Sequence, residues 1–584
     1  MVLVVGIRMN TSQEDIKYGA ALFFAILALS LAPAVLTLNK GQYAGVPPAY
    51  VDDDLSYYGR MKEVADGRPL ISNPYFIEYQ KSEPGTFSVA DWLAAVPLLL
   101  GIPLSQAIVL NFLVWSIFFA ILAYLLGRII GVSPPLAASL ALIAYVEVYW
   151  LIYRPVAMQQ VFPFFLIFLL ALIFWLRNPL RRSSAVFLVA TSALSFYIYT
   201  FLWQIVCAIL GVVILHNAFS KRWLEMKSLL WIALGTGLGA LPALVYIFNQ
   251  IQSPFYWDTV NRINMVVTRL PGTDAYYYGR WAVLLTVLYL CLRSWLPRYS
   301  HNDATVIDSV IYSGLGLLVA SMSNVITSQD LSVGQHVGRF ITLWAAIVIP
   351  VVMWKMFTSR KEIRELQWYK LTIIGAVSLA SLGFLAFNVK RSLPFQRITS
   401  SDTVALQSYV APLRWLVQHE QQPITVWANT ELSMYIPILT NHYVFWAPTG
   451  GLFFMPTREV EDRFLASRMK ALTVEELVAM SSEYDGGGVS SRYNDYLNKN
   501  TLRCLFGVKC SPHQSMRTWI GNDKLQALLE RQKELRKNIS GIMKEYHVAY
   551  VVVDTSKAEE RYLESLPGIK KMWNNERFII YKVI

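Results

Sequence analysis

The sequence predicts a multi-pass α-helical membrane protein that carries an α/β domain outside the bilayer at its C-terminal end. Three observations predict it. The 584 residues are 55% hydrophobic and 15% charged, against about 25% charged in an ordinary soluble chain. About eleven stretches are apolar enough to be read as spans, since crossing roughly 30 Å of hydrocarbon takes about 20 helical residues. Two long stretches, 39–102 and 389–584, are polar instead. This composition excludes a single soluble domain, a disordered chain and a disulfide-rich scaffold.

The spans lie near 17–38, 103–127, 134–152, 157–176, 184–197, 200–216, 229–249, 280–296, 306–325, 340–356 and 371–388. The fifth and sixth are short, and Val186 to Leu215 reads equally as one long kinked helix. The first is read as a span, not a signal peptide, because it lacks an early basic stretch and a small-residue cleavage site. Orientation follows from basic residues in short loops. One side carries Arg177, Arg181, Arg182, Lys221, Arg222, Lys227, Arg293, Arg298, Arg360, Lys361, Arg364 and Lys370; the other carries only Arg154, Arg262, Arg269 and Arg339. The richer side is therefore cytoplasmic, with the N-terminus, and the C-terminal domain lies outside. Much of the net charge of +12 is thus a topology signal and not a nucleic-acid patch.

Residues 1–388 form the membrane module, with 39–102 as a large first outer loop, and 389–584 form the outer α/β domain. In the latter, Ile424–Ala428, His442–Trp446, Val548–Val553 and Phe578–Val583 read as strands; Glu431–Leu439 and Asp523–Tyr546 read as helices. Cys504 and Cys510 are either a local disulfide or two separate thiols. Cys207 and Cys291 read as apolar fillers within spans.

The most distinctive local run is Val51-Asp52-Asp53-Asp54-Leu55-Ser56-Tyr57-Tyr58-Gly59-Arg60, a dozen residues beyond the first span. Adjacent carboxylates repel one another unless a cation, a metal or a proton offsets them. A helix is expected over Leu55–Ala65 with Asp54 as its cap. The acids read either as a solvated helix cap or as a general base beside the membrane surface.

The order Asp53-Asp54-x-x-Tyr57 after a first transmembrane helix resembles the acidic pair of the GT-C superfamily of membrane glycosyltransferases, most of all the lipid A aminoarabinose transferase and protein O-mannosyltransferase branches. The layout of large first outer loop, helical bundle and outer domain is similar to that superfamily over the whole chain. The resemblance implies a GT-C-like fold, Asp53 as catalytic carboxylate with Asp54 second, and Tyr57, Tyr58 and Arg60 at the substrate cavity. Asp52 departs from the pattern, and leaves open a site for a divalent cation, Mg or Mn, on Asp52 and Asp54, as in oligosaccharyltransferases.

Three further constellations stand out. Arg339, in Gln335-His336-Val337-Gly338-Arg339-Phe340, lies at phosphate depth, where a guanidinium suits phosphate oxygens; the plainer reading is snorkelling to ordinary headgroups. His336 and Arg269 are its candidate helpers. Trp257, in Tyr256-Trp257-Asp258, belongs either to a sugar-stacking wall or to an interfacial aromatic belt. Glu147, within the third span, needs a cavity or a partner, and Arg154 is the nearest candidate.

No Walker loop, G-x-S-x-G or H-E-x-x-H occurs. The expected function is an inverting glycosyltransferase of the prokaryotic plasma membrane. It takes a sugar from a polyprenyl-phosphate donor and passes it to a glycan, lipid or protein acceptor on the extracytoplasmic face. The partners are thus donor, acceptor and lipid bilayer, with no nucleic acid. The alternatives are an oligosaccharyltransferase-like enzyme, and a transporter or lipid flippase with an accessory outer domain.

Overall fold

The structure, a computed structural model, describes residues 12–38, 43–47, 49, 52–83, 89–270, 301–359, 401–468, 470–508, 511, 513–557 and 568–584. It is mostly helical, with one small sheet in the C-terminal region. The membrane-type helices are α1 (Gln13–Leu38), α4 (Leu104–Ile129), α5 (Pro134–Ile152), α6 (Met158–Arg177), α8 (Thr200–Phe219) and α9 (Trp223–Ile251). Among the described residues, these six are long and apolar enough to cross a bilayer. Between them run α2 (Asp52–Ala65), α3 (Val89–Leu99) and α7 (Arg182–Ile198); α10 (Tyr256–Arg262), α11 (His301–Ser321) and α12 (Val333–Ser359) follow.

Among the described residues the count of about eleven spans is therefore not confirmed. The segments 280–296 and 371–388 lie outside the described residues. Two others are shorter apolar helices, Arg182–Ile198 and Asp308–Ser321, and a third, Val89–Leu99, sits inside what the sequence presents as the first outer loop. Val186 to Leu215 is two helices: Tyr199 between them is extended, with φ −161 and ψ 134.

Several polar side chains of the bundle pair with one another across helices, as a lipid environment favours. The Tyr145 hydroxyl of α5 lies 3.0 Å from the Ser30 hydroxyl and donates to that of Ser116 at 3.1 Å. Near the start of α1, Asp15 accepts from Tyr124 at 2.7 Å and from Arg128 at 2.6 Å, which clips α1 to α4. A Cβ at Gly235 or Gly239 of α9 would press on Val189 or Ala193 of α7, so small residues let these two helices approach closely.

Two short strands, β1 (Val266–Val267) and β2 (Gln329–Asp330), pair antiparallel just ahead of α12. The C-terminal sheet has the order β4-β3-β5-β7-β6. It consists of β3 (Thr425–Trp427), β4 (Tyr443–Val444), β5 (Val548–Asp554), β6 (Ile569–Asn574) and β7 (Phe578–Val583). The pairs β3–β4 and β3–β5 are parallel, and β7 runs antiparallel to both β5 and β6. Each expected strand is present. The edge strand β6 escaped the pattern because it is mostly exposed and carries Lys570 and Lys571, as edge strands often do. The expected helix Asp523–Tyr546 is broken at Asn538 into Asn522–Lys537 and Ile539–Glu545; Asn favours local backbone bonds over a helix interior. Cys504 is disulfide-bonded, and Cys207 is free.

The first loop does not stand apart from the C-terminal region. Leu55, Tyr58, Met61, Tyr75 and Phe76 share one hydrophobic core with Val426, Tyr435, Trp446 and Val551. The Val444 N–H donates to the Tyr75 carbonyl at 2.8 Å, and the Asn73 amide donates to the Gly450 carbonyl at 2.9 Å. A Cβ at Gly450 would fall 2.5 Å from the Phe76 ring, so this approach requires glycine. Arg463 is buried, forms ion pairs at 2.9 Å with Glu78 and Glu459, and stacks over Phe76 and Tyr546. Arg262 ties α10 to the same region by donating to the carbonyls of Gly451 and Met455 at 2.9 and 2.8 Å. Burial lowers its pKa to about 10.

Candidate functional site

The helix α2 starts at Asp52, two or three residues earlier than expected, so all three acids sit in its first turn. There the helix dipole favours negative charge by about 0.3–1 kcal/mol each. Helical spacing then sorts the side chains. Asp54, Tyr58 and Met61 fall on one stripe and are buried. Asp53, Tyr57 and Arg60 fall on the next. The Asp53 side chain is 64% exposed, whereas that of Asp54 is enclosed. Two neighbouring acids thus occupy opposite environments.

The cation that offsets them is Arg154. Its Nη2 donates to Asp53 Oδ2 at 2.8 Å and its Nε to Asp54 Oδ1 at 3.3 Å. Arg154 is buried in the turn that joins α5 to α6. That turn is strained: Val156 takes φ +63, a conformation that is costly for a β-branched residue. Such outliers cost on the order of 1–3 kcal/mol and gather at functional sites. Gln159 reaches back from α6 and donates to the Ile152 carbonyl at 3.0 Å, which satisfies the end of α5. Arg154 pairs with the two acids and not with Glu147, which is half-buried on α5 and has other interactions.

Tyr57 stands between two guanidinium groups, Arg60 at 5.5 Å and Arg154 at 5.8 Å from its ring centre. Burial raises its pKa, against the pull of Arg154, Arg60 and Arg339. Arg60 in turn donates to Asp91 of α3 at 2.6 Å. Burial raises the pKa of Asp91, and Arg60 opposes that rise. Tyr58 is fully buried, near Asp54, Tyr153 and Tyr435.

The break between α7 and α8 and the start of α12 supply further groups that act on Tyr57. The Tyr199 hydroxyl lies 2.6 Å from His336 Nδ1, and the His336 ring stacks on Phe201 at 4.1 Å. Arg339 follows His336 by three residues, on the same helix face. Next to it, Phe340 packs against Phe162 and Phe165 of α6, which fixes this turn in place. Tyr57 and Tyr199 each lie in the field of Arg339, Arg154 and Asp53. Asp53 and Arg339, 286 residues apart in sequence (339 − 53), thus act on the same two tyrosines. Among the described residues Arg339 makes no ion pair and no hydrogen bond, although it is half-buried.

Arg269 is exposed just after β1. Trp257 is exposed on α10, against Tyr256. The Asp52 side chain lies outside the described residues. Among the described residues no three His, Cys, Asp or Glu side chains gather as a metal site. Sequence reasoning missed the pairing of Arg154 with both acids, and the Arg60–Asp91 pair. The available signal for the first was an arginine in a short loop on the basic-poor side, directly before a proline. No protein-family model matches the chain, and no curated protein matches it in sequence.

Proposed function

We propose that the chain is an inverting, membrane-embedded glycosyltransferase that uses a polyprenyl-phosphate sugar donor, with its site on the extracytoplasmic face. The observation that carries this reading is Arg339, a half-buried guanidinium without an anionic partner among the described residues, beside the Asp53–Arg154 pair. A donor phosphate is the anion it lacks. In the reaction, an acceptor hydroxyl oxygen bonds to the anomeric carbon while the carbon–oxygen bond to phosphate breaks. The electron pair leaves with the lipid phosphate, whose growing charge Arg339 stabilises. The hydroxyl proton passes to Asp53, the exposed acid. Asp54, enclosed, holds Arg154, which aims Asp53. Apolar surface of the neighbouring helices accommodates the isoprenoid.

The test is transfer by purified full-length protein from a polyprenyl-phosphate sugar. Asp53→Asn should abolish transfer while the protein still inserts into membranes; full activity in that variant ends the proposal. Arg339→Ala should raise the donor KM at least tenfold and leave acceptor KM nearly unchanged. Release of free polyprenyl phosphate separates this reading from a transporter, which would move the donor intact.

A further inference from the structure

One face of the C-terminal region is unlike the rest. The helix Gly488–Leu505 ends in a run where every residue from Thr501 to Val508 is exposed. It includes Leu505 at 75%, Phe506 at 74% and Val508 at 57%, with Leu502 beside them. This is not a loose end. Gly507 adopts φ +67, its N–H donates to the Cys504 carbonyl at 3.2 Å, and the Val508 N–H donates to the Arg503 carbonyl at 2.9 Å. A left-handed glycine with such bonds is a helix stop that holds its flanking residues in place. The disulfide at Cys504 constrains the same turn.

The position of this helix argues for what covers it. Near its start, Arg492 donates to the Asn261 carbonyl at 2.9 Å; two turns on, Lys499 donates to the Val267 carbonyl at 3.3 Å. The helix therefore tracks the connector that leaves α9 and forms β1. β1 pairs with β2, which directly precedes α12. Val267 of β1 and Ile326, just before β2, are exposed there. The apolar tip thus continues the surface from which apolar helices emerge. Its charge is complementary to anionic headgroups: Arg503 has no ion pair among the described residues, and Lys499 shares its charge with Asp495 at 2.7 Å. Exposed apolar groups of this size, flanked by basic residues, mark lipid-interface segments.

We infer that Leu502–Val508 is a membrane anchor: Leu505, Phe506 and Val508 dip into the bilayer interface, and Arg503 holds anionic headgroups. The C-terminal region is thereby tethered to the lipid surface beside the bundle. This does not depend on the glycosyltransferase reading.

The experiment uses the full-length protein in lipid nanodiscs, with an environment-sensitive fluorescent amino acid at Phe506. Blue-shifted emission and quenching by acyl-brominated lipid are expected. Quenching should strengthen about twofold or more when phosphatidylglycerol is mixed into phosphatidylcholine, and Arg503→Gln should remove that gain. With the probe moved to Val508, Leu505→Asp plus Phe506→Asp should abolish quenching while the Cys504 disulfide and thermal stability persist. Water-like emission with no quenching overturns the inference. So does a dimer of the chain that Phe506→Asp dissolves, because a second copy would then be the occupant.

Discussion

Asp53 and Asp54 share a helix turn and a cation, yet one is exposed and the other is not. Their variants should therefore behave differently. Asp53→Asn loses one partly exposed ion pair, worth about 0–1 kcal/mol, so thermal unfolding in detergent should be nearly unchanged. Arg154→Gln leaves Asp54 enclosed without its cation. Removing one partner of a buried pair costs about 3–5 kcal/mol, so the unfolding midpoint should fall clearly. Equal midpoints for the two variants would mean that Arg154 does not hold the acids together. Tyr199→Phe removes the hydroxyl that fixes His336, at about 0.5–1.5 kcal/mol. Under the proposed function its expected readout is a higher donor KM with kcat little changed, because the donor phosphate would sit against Arg339.

The site depends on how α2 is held, and α2 is held from both sides. Its inner stripe enters the core shared with the sheet, and Arg60 fastens its outer stripe to α3. The docking of residues 73–78 on the sheet region is therefore a structural condition for the site. Gly450→Val forces carbon into the Phe76 ring and should loosen the first loop, read as faster limited proteolysis within 66–88. Arg463→Met strips a buried cation from Glu78 and Glu459, and should produce the same cleavage. If either variant leaves proteolysis unchanged while destabilising the sheet, the loop is held by other contacts. Under the proposed function, both variants should also weaken transfer, because Asp53 moves with α2.

For the molecule as a whole, the proposed orientation puts the sheet region outside the cytoplasm. The disulfide at Cys504 supports that, since disulfides persist in oxidising compartments. An alkaline phosphatase fused to the C-terminal end should be active in cells, and maleimide should label Cys504 only after reduction. An inactive fusion would invert the topology. Under the proposed function, transfer should continue in EDTA, because Arg154 already supplies the positive charge that the first-loop acids need. Loss with EDTA that Mg or Mn restores would assign the acids to a metal instead.

Much was legible along the chain because it is periodic or compositional. Apolar runs longer than a bilayer is thick mark membrane-type helices wherever they occur, short apolar runs marked β3, β4 and β5, and alternation marked β7. The acidic run after the first span stood out because neighbouring carboxylates demand compensation. What compensates them was not legible. Arg154 lies about a hundred residues away, and only packing of the α5–α6 turn beneath α2 brings it there. The same holds for Arg339, which acts on Tyr57 and Tyr199 once Phe340 seats α12 against α6, and for the first loop, which shares a core with strands some 350 residues later. Local pattern reports which face of an element is apolar; which other element buries it is decided by long-range packing, and a charge finds its partner only once that packing is complete.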